Sequence, residues 1–169
     1  MPVGTFPAIN QYMADYLIGW RRTSRDIELT PFSLSELSDI KVSYQLANGA
    51  HASILIVAYD GIYRPGSAGN TDAKFMYAAA LAGAAGADAI NLILDFRKLD
   101  YVWGDMLELV YDAAHQTGSD RSHFAVVVGD GCREAVRTLE LGENSTEPLS
   151  SIPWAHETIE DAYHYLSRR

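Results

Sequence analysis

From Ile40 the chain alternates, with Ile40, Val42, Tyr44 and Leu46 apolar and the residues between them polar, the period-two pattern of a strand with one buried face. Ala47, Asn48, Gly49 and Ala50 then supply a turn, since Asn-Gly readily accepts positive φ. Ala52 to Tyr59 follows as a more continuously apolar strand, so a hairpin is expected to open the domain. Asp60 to Thr71 holds Gly61, Pro65, Gly66, Gly69 and Asn70, a loop composition, and Thr71 or Asp72 offers an N-cap. The alanine-dominated run Ala73 to Ala85, with Phe75, Met76 and Leu81 as larger knobs, predicts a helix that lies close to a sheet and stops at Gly86.

Ala89 to Asp95 reads as a strand buried on both faces, the character of a central parallel strand. Gly104 to Thr117 has a helical pattern, with Met106, Leu109, Val110, Ala113 and Ala114 inward and Asp105, Glu108, Asp112 and Gln116 outward. Phe124 to Val128 is the next buried strand, and Cys132 to Leu141 a shorter helix that ends at Gly142. A brief strand near Ile152 to Trp154 and a last helix from Glu157 to Ser167 complete the pattern. The order β, β, α, β, α, β, α, β, α defines an α/β fold, a mixed sheet opened by a β-hairpin with alternating helices and right-handed crossovers between parallel strands.

Residues 1–38 lie outside this alternation and read as an N-terminal helical extension to an α/β domain at 39–169. The extension is expected to hold a helix around Ala8 to Arg21, and its Tyr12, Met13, Tyr16, Leu17, Ile18 and Trp20 are too large an apolar surface to leave in water. Ser33-Leu-Ser-Glu36 fits a capping box and predicts a second short helix.

Charge narrows the partners. Thirteen Lys and Arg against 22 Asp and Glu give a net charge of -9, a field that repels phosphate backbones and anionic lipid, so neither nucleic acid nor membrane is an expected partner. Apolar stretches such as Ile54 to Tyr59 fall far short of the roughly 20 residues that span a bilayer. The N-terminus lacks the basic start and continuous apolar core of a signal peptide. Cys132 is the single cysteine, which excludes an internal disulfide and a cysteine-based zinc cluster and points to a reducing, cytoplasmic setting.

Candidate chemistry is sparse. Cys132 follows Gly129-Asp130-Gly131 at a helix start, where a thiol pKa can be depressed, but the sequence pairs it with none of His51, His115, His123, His156 or His164. A small buried residue at a helix start is the other reading, and no catalytic residue is assigned. Asp105, Glu108 and Asp112 share a helical face that suits a basic partner, a metal or plain solvation; without loop or carbonyl oxygens no metal is assigned. In a helix's first turn Asp105 would also complement the dipole. Gly61 to Asn70 contains no GxGxxG or GxxxxGK[ST] string, so no nucleotide cofactor is expected. Gly129-Asp130-Gly131 reads as a turn, because Asp130 would oppose an anion there. Trp103, at the carboxyl end of a central strand, stands where open α/β sheets bind partners, and core packing is its alternative role.

Several strings between about residues 38 and 168 resemble the STAS domain, the family of anti-sigma factor antagonists and sulfate-transporter cytoplasmic domains. Leu94-Asp95 ends a strand, Phe96 to Val102 fills the link, and Trp103-Gly104-Asp105-Met106 stands where the family carries an Asp-Ser-Ser-Gly type motif at a helix start. Val128 to Gly142 is similar to the family's strand, turn and short helix, and Ile152 to Ala162 to its final strand and helix. The resemblance implies a non-enzymatic regulatory or binding protein that docks a protein partner; the net charge of -9 points to a partner with a basic surface, and Trp103, Gly104, Asp105, Glu108 and Asp112 are the expected contacts. The N-terminal helix has two candidate roles, a cap on the sheet or the surface of a homodimer. On a gapless reading Asp105 occupies the family's phosphorylated serine or threonine position, and no Ser or Thr occurs from Phe96 to Val110, so the usual phosphorylation switch is not expected. Two other readings stand beside this one: a crotonase- or ClpP-like enzyme fold, which also opens with a hairpin, and an acidic immunity protein that neutralises a toxin.

Overall fold

A computed structural model describes residues 28–48, 53–116 and 123–168. The chain divides between Phe32 and Ser33 into two units, and the fold described here is that of the second. The helix expected around Ala8 to Arg21 lies outside the described residues, as does His51.

Among the described residues one five-stranded sheet forms, ordered β1 (Lys41–Asn48), β2 (Ser53–Ile62), β3 (Asn91–Asp100), β4 (His123–Val128) and β5 (Ala155–His156). The first two strands are the expected antiparallel hairpin, in register from Lys41↔Asp60 to Asn48↔Ser53, and the remaining pairs are parallel. Each parallel pair is bridged by a helix: α1 (Asn70–Gly86), α2 (Glu108–His115) and α3 (Arg133–Leu141), with α4 (Ile159–Ser167) closing the chain.

Because successive parallel strands are neighbours, right-handed crossovers place all three bridging helices on one face. The core follows that rule. Met76 and Ala80 of α1, Val110 and Ala113 of α2 and Val136 of α3 share one cluster with Leu55, Val57, Leu92, Leu94 and Val126. On the other face, among the described residues, Ile54, Ile56, Ile93, Ala125 and Val127 pack on Ala162 and Leu166 of α4 and on partly buried neighbours. Toward β1 that second face is left as a polar cleft of about 350 Å³, lined by Ser43, Gln45, Asp60, Asp95, Arg97 and Lys98 among others.

Four expected boundaries are corrected. β3 does not stop at Asp95 but continues through a bulge, where Ala58 faces Asp95 and Asp60 already faces Lys98. Asp95 holds the bulge: its carboxylate accepts the Arg97 amide at 3.1 Å and the guanidinium at 2.9 and 2.7 Å. α1 starts ahead of the expected caps, after a 3-10 turn at Ser67–Gly69, because Asp72 turns its carboxylate to Arg64 and Ser38 instead of to its own helix. α2 starts at Glu108, not Gly104, so Asp105 is not in a helical first turn and has no dipole role there, and Met106 is exposed where it was expected inward. The final short strand is Ala155–His156 instead of Ile152 to Trp154, which follow a 3-10 turn at Leu149–Ser151.

Smaller differences have equally local causes. Gly86 is the last residue of α1, but the left-handed residue that turns the chain is Asp88, at φ 48°, and the Ala89 amide closes on the Ala84 carbonyl at 3.0 Å. Thr158 caps α4 by accepting the Asp161 amide at 3.1 Å, so that helix begins two residues later than expected. Ser33 forms no cap: its hydroxyl pairs with that of Ser35 at 2.8 Å, and Leu34–Glu36 is a single 3-10 turn.

Candidate functional site

Past its bulge β3 delivers Tyr101 to the carboxyl edge of the sheet, where the Tyr101 amide bonds the Gly131 carbonyl at 3.0 Å and the Tyr63 amide bonds the Asp100 carbonyl at 2.9 Å. The rings of Tyr63 and Tyr101 are buried and meet edge to face, 5.1 Å between centroids. Both hydroxyls point into the loop that leads to α2. Tyr63 donates to the Asp105 carbonyl at 2.5 Å and Tyr101 to the Gly104 carbonyl at 3.2 Å.

These hydroxyls are fixed donors. Burial, then the neighbouring Tyr101 and the carboxylates of Asp72, Asp105 and Glu108, push the Tyr63 hydroxyl far above its usual range. Burial and then Glu108 also raise Tyr101. Neither ionises near neutral pH, so the loop stays pinned. Gly104 is in the site because of this packing, since a Cβ there would sit 2.7 Å from Cε1 of Tyr63. A bridge joins Gly104 to Gly66, and Gly66, at φ 58°, is covered by the Trp103 indole so closely that a Cβ would come within 2.8 Å of Cη2. Met106 holds a left-handed φ of 69°, a conformation that a non-glycine residue keeps only where its surroundings impose it.

The result is a rigid loop with an apolar outer surface. Trp103 is 60% exposed and Val102 77%, with Met106 and Ile62 also exposed. The acids that follow in the chain are exposed as well: Asp105, Glu108 and Asp112, with Glu108 and Asp112 one turn apart on α2. On α3, burial and then Glu108 raise the Glu140 carboxyl above the usual range. Of the residues expected at the site, Trp103 is exposed, Gly104 is a packing residue beneath the loop, and the three acids are exposed. Ile62, Val102, Met106 and Glu140 were not foreseen. Among the described residues no group of three His, Cys, Asp or Glu is placed to hold a metal ion, and no helix is long and apolar enough to cross a membrane.

Cys132 occupies the position before α3 but is fully buried, its thiol directed to the Phe96 carbonyl at 3.4 Å and the Gly129 carbonyl at 3.7 Å. Burial pushes the thiol up to about 11, opposite to the depression a nucleophile needs. Labelling of the folded protein with an aromatic disulfide at pH 8 is therefore expected to be at least ~100-fold slower than in urea; equal rates would contradict the burial. His156 lies near Thr158 and packs on Tyr165, its rings 5.1 Å apart, and its imidazole is lowered by burial.

No family model matches the chain, and no curated protein matches it. A solved structure similar to it is the crystal structure of an anti-sigma factor antagonist from Mycobacterium paratuberculosis, 13% identical, with a TM-score of 0.49 over 75% of this chain and 95% of that one. At that level the likeness transfers no activity from one chain to the other.

Proposed function

We propose that this chain is a non-enzymatic, STAS-like regulatory protein that docks a protein partner on the loop after β3, with Trp103 as the anchor and Asp105, Glu108 and Asp112 as the rim. The observation that carries this reading is an indole left in water on a loop that two buried tyrosine hydroxyls hold still. An exposed aromatic on a mobile loop would lose conformational freedom on binding; this one has already lost it. The acidic rim and the net charge of -9 favour a partner with a basic face. The strings that resemble the STAS family and the hairpin-led sheet agree with such a role, and Asp105 would give the loop a constant charge where a phosphorylated residue would give a switchable one.

Mild-tag purification from the native cell supplies the partner, and calorimetry then separates anchor from rim. Trp103→Ala is expected to weaken binding by about 2 kcal/mol or more, some 30-fold, and Asp105→Asn by under ~1 kcal/mol. Rising salt should slow association, while the tryptophan loss appears in dissociation. Unchanged affinity in both folded variants would remove the loop from the interface.

A further inference from the structure

β1 forms one edge of the sheet, bonded to β2 on one side and to no strand on the other among the described residues. Edge strands are usually guarded by charge, proline, a bulge or brevity. β1 has eight residues in unbroken register with β2, and from Val42 to Asn48 it carries neither charge nor proline. Its even positions Val42, Tyr44 and Leu46 share one face, where Tyr44 and Leu46 are about half exposed. Beside them lies an apolar groove of about 340 Å³, lined by Tyr44, Leu46, Leu55, Gly83 and Ala87 among others. Tyr44 is fixed: its hydroxyl donates to the Ala79 carbonyl at 2.9 Å, and its ring lies on Gly83, where a Cβ would come within 2.5 Å.

We propose that a second copy of this chain occupies this edge, β1 pairing antiparallel with β1 of the other copy about a two-fold axis at Tyr44. The strand is self-complementary in that register. Tyr44 meets the partner's Tyr44 and Leu46 meets the partner's Val42, while on the opposite face Ser43 meets the partner's Gln45. Charge favours the same choice: two chains of -9 repel wherever carboxylates face each other, and β1 itself carries none. Its single charge, Lys41, lies opposite the partner's Ala47, about 20 Å along the strands from the partner's Lys41. A strip about 27 Å long and about 20 Å deep across sheet and helix covers on the order of 500 Å² per copy, about 1,000 Å² in all. That area is at the lower bound of specific interfaces, so the dimer dissociates on dilution through the micromolar range.

Sedimentation velocity on the full chain from about 1 to 200 μM is expected to show a monomer–dimer equilibrium that strengthens with salt, as screening relieves the net repulsion. Docking of a basic partner weakens with salt, so the two associations are told apart by sign and fail independently. Leu46→Lys is expected to weaken the dimer at least tenfold. Register is read by crosslinking: Ser43→Cys mixed with Gln45→Cys should form a mixed disulfide under mild oxidation, whereas either alone, offset by two residues, lies beyond disulfide reach. A monomer at every concentration and salt would overturn the proposal. So would a dimer that Leu46→Lys leaves intact or that gives no mixed disulfide.

Discussion

Asp72→Asn is expected to cost about 3 kcal/mol of folding stability at pH 7, a fall in melting temperature of about 6–12 °C for a chain of this size. The Asp72 side chain is 1% exposed, and its two oxygens accept four hydrogen bonds: from the Ser38 hydroxyl at 2.6 Å, the Arg64 amide at 2.9 Å, and the Arg64 guanidinium at 2.9 and 2.7 Å. The same guanidinium reaches the Leu37 carbonyl and the Thr71 hydroxyl, both at 2.6 Å, so one carboxylate ties the approach to β1, the loop after β2 and the start of α1 together. Asparagine fills the same space but turns an amino group toward donors and leaves them unmatched. Arg64 is 46% exposed and can turn to water, which places the loss near the lower end of the range for breaking a buried pair.

The pH dependence has a definite sign. Burial pushes the Asp72 carboxyl up, but the bonds from Arg64 and Ser38 outweigh it and hold the group below its ordinary value. A carboxyl depressed on folding stabilises above its unfolded pKa, about 3.9, and that contribution is lost as pH falls through the folded value. The difference between parent and variant in urea unfolding should thus be full at pH 7 and shrink below about pH 4. A difference under ~1 kcal/mol at pH 7, or one that does not change with pH, would contradict this account.

Asp72 also shows where the sequence is silent. In a loop-to-helix context it looks like a cap, and only the fold brings Ser38 and Arg64 to it. Elements whose pattern comes from one continuous face were legible: the hairpin, the alanine-rich helix and the both-sides-buried strands fall close to their expected places. The apolar pattern predicts too short a β3 because it changes at the bulge, where Asp95 and Arg97 bond each other and the strand goes on half exposed. The period predicts too long an α2 because Met106 and Leu109 fit it, while it carries no sign that two tyrosines hold the preceding carbonyls out of the helix. At the candidate site Trp103 stood out by type and place, but Val102, Met106 and Ile62 did not. Isolated apolar residues read as core until the chain's path shows which ones face water.

The same limit applies to glycines, and it gives the sharpest test of the loop. Gly69→Ala is expected to destabilise the protein by about 3 kcal/mol or more, although Gly69 has an ordinary φ of -72° and the replacement is small. The cause is space. A Cβ at Gly69 would lie far inside contact distance of both the buried Tyr63 ring and the Arg64 carbonyl oxygen. The carbonyl is main chain and cannot turn aside, and Tyr63 is held by its bond to Asp105 and its contact with Tyr101. Relief would require the start of α1 to move away from the loop after β2, which would disturb Arg64 and its bonds to Asp72. Gly86→Ala is the control: nothing lies within 4 Å of the added carbon at the end of the same helix, and the exchange is expected to stabilise by up to about 1 kcal/mol through the unfolded chain. Thermal and urea unfolding of both variants measure the pair. In Gly69→Ala the tryptophan environment should change as well, because Tyr63 underlies the loop that presents Trp103, and its movement would release Gly104 and Asp105. Equal stabilities for the two alanine variants would mean that the contact at Gly69 yields freely, and that the loop after β3 is not the fixed platform its hydrogen bonds describe.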